Sequence, residues 1–151
     1  MQKEQNAIYL VSKQSFTYND EGYVANEEGT TPLKAFMTEA SAKAFGTTVL
    51  ITAFENELDT CIEPLIYEGL HEKRYEKLVN VAGVEIYRFF EVKNQRTCNY
   101  YSVIHDYKVW DELKSYLQNL SKTLDFDKNQ TLYHAIVGSP LVHIEKIQLE
   151  L

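Results

Sequence analysis

Phe16-Thr-Tyr-Asn-Asp-Glu-Gly-Tyr23, followed by Gly29-Thr-Thr-Pro-Leu-Lys-Ala-Phe36, limits the start of this chain to few folds. Residues 7–18 are rich in β-branched and aromatic side chains and read as a strand. Ile8, Leu10, Phe16 and Tyr18 share one parity with Ser12 and Gln14, so the strand is expected to bulge or leave the core midway. Asn19-Asp-Glu-Gly22 reads as a type I turn, with Gly22 free to take a positive φ. Residues 26–32 read as a loop, and Leu33–Phe36 as a short returning strand. The result is an N-terminal antiparallel unit with carboxylates at its tip.

The remaining signals alternate between helix and hairpin. Thr38 is a good N-cap, and Ala42, Phe45, Val49, Ala53 and Phe54 recur at helical spacing. One helix over about 38–58 is favoured over the rival reading, a strand at Thr47–Phe54. Pro64 is placed in the following loop, and Leu70, Tyr75, Leu78 and Val79 suggest a helix near 70–79. Val84, Ile86, Phe90 and Val92 alternate with Glu85, Tyr87, Phe89, Glu91 and Lys93, which predicts a strand over 84–93. Tyr100–His105 is its return strand. Asp106 then caps the clearest helix, with the apolar stripe Val109, Trp110, Leu113, Tyr116, Leu117, Leu120 and Leu124. Asp125–Gln130 reads as a loop. Thr131–Val137 and Leu141–Leu151 read as a last hairpin, bulged or exposed at Glu145-Lys146. With no βαβ series, the expected class is α+β: an antiparallel sheet built from hairpins, with two to three helices mainly on one face.

At 151 residues the chain fits one domain, long enough to bury roughly 70% of its unfolded surface without a metal or disulfide. The polar opening segment Met1–Asn6 has no apolar core of a secretory signal, and no apolar run approaches the ~20 residues of a membrane helix. Cys61 and Cys98 form no C-x-x-C pair and are expected to be free thiols, so a cytoplasmic protein is expected.

Charge is the strongest compositional signal. Residues 1–76 carry 13 acids against 6 bases, whereas residues 77–151 carry 9 of each. No Lys or Arg lies between Lys43 and Lys73, a span holding Glu55, Glu57, Asp59, Glu63, Glu68 and Glu72. A nucleic-acid binder needs a positive face to displace counterions, and none is present, so no nucleic-acid partner is expected. An acidic half suits a basic protein partner, or simply a solvated surface.

Other candidate chemistry is thin. Asp20, Glu21, Glu27 and Glu28 could offer oxygen ligands but lack the alternating pattern of a calcium loop. His71, His105, His134 and His143 stand too far apart for a zinc motif. His134 and His143 would face each other across the last hairpin only with a two-residue turn, which Pro140 disfavours. In a Cys98–His105–Asp106 arrangement the adjacent His105 and Asp106 point to opposite faces of a strand, and so do Cys98 and His105, seven residues apart. No phosphate loop, nucleophile elbow or dinucleotide fingerprint occurs, and no cofactor is expected.

The block Phe16-x-Tyr-Asn-Asp-Glu-x-Tyr23 to Gly29-x-x-Pro32-x-Lys34-x-Phe36, leading into a capped helix, resembles the N-terminal part of a group of small uncharacterised bacterial proteins. It departs from them in having Gly-Thr-Thr-Pro where Gly-Gly-x-Pro is usual. The resemblance implies a shared start to the fold and carries no site residues. The expectation is a non-enzymatic binding or regulatory module using Tyr18, Asp20, Glu21, Tyr23, Glu27 and Glu28 as its partner surface. The alternatives are an immunity or inhibitor protein for a basic toxin or nuclease, and a small-ligand enzyme with a pocket between helices and sheet.

Overall fold

Strand β1 (Ala7–Tyr18) is the centre of a three-stranded antiparallel sheet, flanked by β2 (Ala25–Phe36) and by β6 (Val142–Gln148) from the far end of the chain. The structure is a computed structural model and describes residues 7–18, 25–94 and 99–150. Between β2 and β6 run α1 (Glu39–Asn56), α2 (Leu58–Tyr67), β3 (Leu70–His71), α3 (Glu72–Ala82), a 3-10 helix (Val84–Phe89), β4 (Phe90–Asn94), β5 (Asn99–Val103), α4 (Tyr107–Ser121) and α5 (Phe126–Val137). The short strands β3, β5 and β4 form a second antiparallel sheet in that order. The class is α+β, as expected, and the described residues form two small sheets and five α-helices where one sheet and two or three helices were expected.

The first strand pair is longer than the sequence suggested. Residues 26–32 are not a loop: β2 runs through Gly29 and Pro32 with two register shifts, opposite Val11/Ser12 and opposite Ser15/Phe16. Gly29, at φ 127°, lies at the second irregularity, where only glycine takes that backbone without strain. Pro32 is tolerated because β2 is an edge strand. The face toward the core carries Tyr9 and Val11, not the Ile8/Leu10 parity.

Helix α1 begins at the expected cap, where Thr38 Oγ1 accepts from the Ser41 amide at 3.1 Å. It runs straight through Thr47-Thr-Val-Leu-Ile-Thr52, so the favoured helix reading holds and the strand reading fails. Burial decides: Ala42, Gly46, Leu50, Ala53 and Phe54 line one side. The Thr47 and Thr48 hydroxyls donate back to the carbonyls of Lys43 and Ala44. The helix stops at Asn56 and α2 restarts at Leu58. Pro64 lies inside α2, not in a loop, and α2 ends three residues later.

Two further expectations are overturned. Residues 84–89 coil into a 3-10 helix, and only Phe90–Asn94 extends. Ile86 and Phe89, three residues apart, are the buried pair, whereas Val84 is 71% and Val92 53% exposed. Residues 126–137 form helix α5 rather than a loop and a strand. Asp125 caps it by accepting from the Lys128 amide at 2.9 Å, and Gly138 ends it in the left-handed conformation at φ 95°. Leu132, Tyr133, Ala135 and Ile136 are buried along it. There is therefore no last hairpin and no His134–His143 pair. Instead β6 pairs with β1 in unbroken register from Ala7↔Gln148 to Lys13↔Val142, leaving Glu145 and Lys146 exposed on an edge strand.

The hydrophobic cluster draws on both sheets and all five helices: Val11 and Val142 from the first sheet, Leu70, Phe90 and Val103 from the second, and Leu50, Leu65, Leu78, Leu117 and Ile136 from the helices. Polar side chains stitch its margins. Arg74 on α3 donates to the carbonyls of Ala135 (3.0 Å) and Ile136 (2.9 Å) at the end of α5, where a cation is favoured. The Gln130 amide both donates to the Val142 carbonyl and accepts from the Val142 amide, tying α5 to β6.

Candidate functional site

Folding rearranges the charge pattern that the linear sequence displays. Lysines from elsewhere reach the lysine-free run: Lys13 of β1 pairs with Glu57 (3.4 Å), Lys114 of α4 with Asp59 (2.7 Å), and Lys122 with Glu55 (3.7 Å). Glu63, Glu68, Glu72 and Glu76 receive no ion pair from the described residues. Carboxylates without an ion pair therefore remain on α2, the turn after it and the start of α3, where Lys73, Arg74 and Lys77 stand among Glu72 and Glu76.

Of the residues singled out from the sequence, Asp20, Glu21 and Tyr23 lie outside the described residues. Tyr18 ends β1, and Glu27 and Glu28 lie on β2; the described residues give no side-chain geometry for these three. Cys98 also lies outside the described residues. The histidines are not gathered: His105 packs edge-on against Trp110, and His71 edge-on against Tyr100. His143 Nε2 lies 2.9 Å from Gln14 Oε1. Among the described residues no group of three or more His, Cys, Asp or Glu is arranged to hold a metal ion. No helix among them is long and apolar enough to cross a membrane.

Three hollows bear on function. The first, about 500 Å³, lies between β1, β2, α2 and α5, lined by Lys13, Gln14, Thr31, Glu57, Cys61 and Tyr133 among others. Its polar groups are largely satisfied by one another. Gln14 Nε2 donates to the Ser15 and Gly29 carbonyls at 3.1 and 3.0 Å, and Lys13 is held by Glu57. Burial, with the Glu57 carboxylate adding to it, pushes the Cys61 thiol up to about 12, so it stays protonated and weakly nucleophilic near neutrality. The second, about 620 Å³, is an open trough beside β6 lined by His143 and Glu39. The imidazole there lies within hydrogen-bond distance of Gln14, and the carboxylate pairs with Lys43.

The third is smaller, about 260 Å³, and differs in kind. Helix α3 supplies Glu72, Tyr75, Glu76 and Val79, which share one face by their 3- and 4-residue spacing. The 3-10 helix supplies Tyr87 and β5 supplies Tyr101. Tyr75 is only 4% exposed, with its ring centroid 3.9 Å from that of Tyr101, 5.2 Å from Phe90 and 5.9 Å from Tyr87, the last edge-on at 83°. Its hydroxyl makes no hydrogen bond to another described residue. Burial first, then the neighbouring Tyr87 and Tyr101, raise that hydroxyl to about 12, so it remains a neutral donor and acceptor at the cavity. The hollow therefore has aromatic walls and two carboxylates, with no basic residue lining it.

Sequence reasoning missed this site. It treated Tyr75 as part of an apolar helix face and placed Tyr87 on a strand; the signal available was the Glu72/Glu76 pair flanking Tyr75 in a tyrosine-rich chain. No protein-family model matches the sequence, and no curated protein or solved structure gives a significant match.

Proposed function

We propose that this protein is a binding or regulatory module of the bacterial cytoplasm that works without catalysis, by meeting a basic protein partner through its acidic half. One observation carries the reading. Lysines recruited by folding neutralise Glu55, Glu57 and Asp59, yet Glu63, Glu68, Glu72 and Glu76 have no ion pair among the described residues. Carboxylates without an internal partner steer an oppositely charged partner and fix its orientation more than they add affinity. The acidic segment with Tyr18, Asp20, Glu21, Tyr23, Glu27 and Glu28 extends the same sign of charge toward the start of the chain.

Capture of partners from a native lysate tests this with two charge-reversed baits. One carries lysine at Glu63, Glu68, Glu72 and Glu76, the other at Asp20, Glu21, Glu27 and Glu28. The expected outcome is a partner of basic character retained by the wild type, released by moderate salt and lost with at least one variant. A partner held equally by all three baits, or retention that ignores salt, would overturn the electrostatic reading.

A further inference from the structure

We infer that the tyrosine cavity of α3, the 3-10 helix and β5 is a binding site for a single N-alkylated ammonium group. This deepens the proposed function by naming the chemistry recognised at one point of the acidic surface, and it rests on that reading only for the source of the cation.

The argument begins with how the protein treats its other aromatic faces. Lys34 Nζ stands 5.4 Å from the Phe36 ring centre and 6.0 Å from that of Phe45. The Arg88 guanidinium stands 4.5 Å from the Phe89 ring centre and 6.0 Å from that of Tyr116. In both places the chain supplies its own cation to the negative face of the ring. At Tyr75, Tyr87 and Tyr101 it supplies none among the described residues, although three rings and two carboxylates converge there.

Size and hydration choose the ligand class. At about 260 Å³ the cavity is below the range of roughly 300–1,000 Å³ that takes a drug-sized molecule, so it suits one head group or one side-chain tip. A primary ammonium is strongly hydrated, and ring faces replace its hydrogen bonds poorly. An alkylated ammonium spreads its charge over methyl groups, loses little hydration and contacts aromatic faces directly. Glu72 and Glu76 lie four residues apart on one helix face and bring two carboxylates to the cavity, which attract a cation held there. The Tyr75 hydroxyl offers an oxygen acceptor at the cavity.

The test is a calorimetric and NMR titration of the full chain with choline and with its neutral isostere 3,3-dimethylbutan-1-ol, at constant ionic strength. Choline is expected to bind saturably, with the isostere weaker by about tenfold or more, the size of a partly desolvated cation–π contribution. Tyr87→Ala is expected to abolish the signal; Tyr87 is 54% exposed, so the change removes a wall without opening the core. Glu72→Gln with Glu76→Gln is expected to weaken binding several-fold while leaving the thermal melt unchanged. Equal binding of the isostere, no saturable binding of choline, or full binding by Tyr87→Ala would each overturn the assignment.

A lysine peptide and its trimethyl-lysine counterpart separate the sources. Tighter binding of the trimethylated peptide than of choline identifies a partner side chain, and the reverse order a free small molecule. A failed titration with partner capture intact sinks the cavity alone. A successful titration with no charge-dependent partner sinks the wider reading and leaves the cavity standing.

Discussion

Asn129 is fully buried, and every polar atom of its side chain is spent. It accepts from the Ser121 hydroxyl at 2.6 Å and donates to the carbonyls of Ser121 (2.8 Å) and Leu124 (3.3 Å), closing the end of α4 against the start of α5. Asn129→Ala takes this partner from the Ser121 hydroxyl and the Leu124 carbonyl and leaves the Ser121 carbonyl with only the Leu124 amide, and urea unfolding should show a loss of about 2 kcal/mol. Gly46 is a second residue set by packing. A Cβ there would stand 2.6 Å from the Phe126 ring and 3.3 Å from Val142. The helix-propensity gain of Gly46→Ala, about 0.5–1 kcal/mol, is outweighed by overpacking of about 1–3 kcal/mol, so the variant should be less stable by roughly 1 kcal/mol in the same assay. Cys61 supplies a third test, in a Cys98→Ser background where it is the only thiol. Its burial and raised pKa should make alkylation at neutral pH about 100-fold slower in the native protein than in urea. None of these partners was legible in the sequence, because each lies on a different element brought close only by packing. What was legible at this scale was local: Thr38 and Asp106 cap their helices as their side chains suggest.

Elements were legible where one signal dominated. The stripe of α4 has a cap, a period and a polar opposite face, all in agreement. Helix α1 survived its β-branched run because buried positions recur every three or four residues. Helix α5 was missed because Phe126-Asp-Lys-Asn-Gln130 is polar and Thr131–Val137 is rich in strand formers. Its helical face includes the buried amide of Asn129, which no apolar pattern reveals. The Asp125 cap was the available clue. Asp125→Ala should cost about 1 kcal/mol, read from the urea midpoint, and should loosen α5 before the rest of the core, read by amide exchange. The tyrosine site was illegible for a related reason. Alternation along 84–93 put Tyr87 on a sheet face, whereas the 3-10 helix turns it toward α3.

At the scale of the whole molecule, the acidic half seen in the sequence is real but not uniform, since three of its carboxylates find lysines across the fold. Stability should respond to alkali in a defined window. Cys61 and Tyr75 have ionisations raised by burial to about 12, against ordinary values of 9.0 and 10.0. Groups raised in the folded state lend stability fully below their ordinary values and lose it as pH rises toward the folded ones. The urea midpoint should therefore hold up to about pH 9 and fall between there and pH 12, and Cys61→Ala should reduce that fall.

The order β2-β1-β6 also sets a schedule. On a translating ribosome, β1 and β2 emerge early, but β1 cannot gain its second neighbour until residues 142–148 have been made. Until then one edge of β1 presents unpaired amides and carbonyls, and the Tyr9–Val11 face waits for α5 and β6 to complete its cover. Sheet closure is thus a late, long-range step. Nascent chains stalled before Val142 should be protease-sensitive and prone to pair with one another, and those stalled on a C-terminal spacer long enough to bring Gln148 clear of the ribosome should resist.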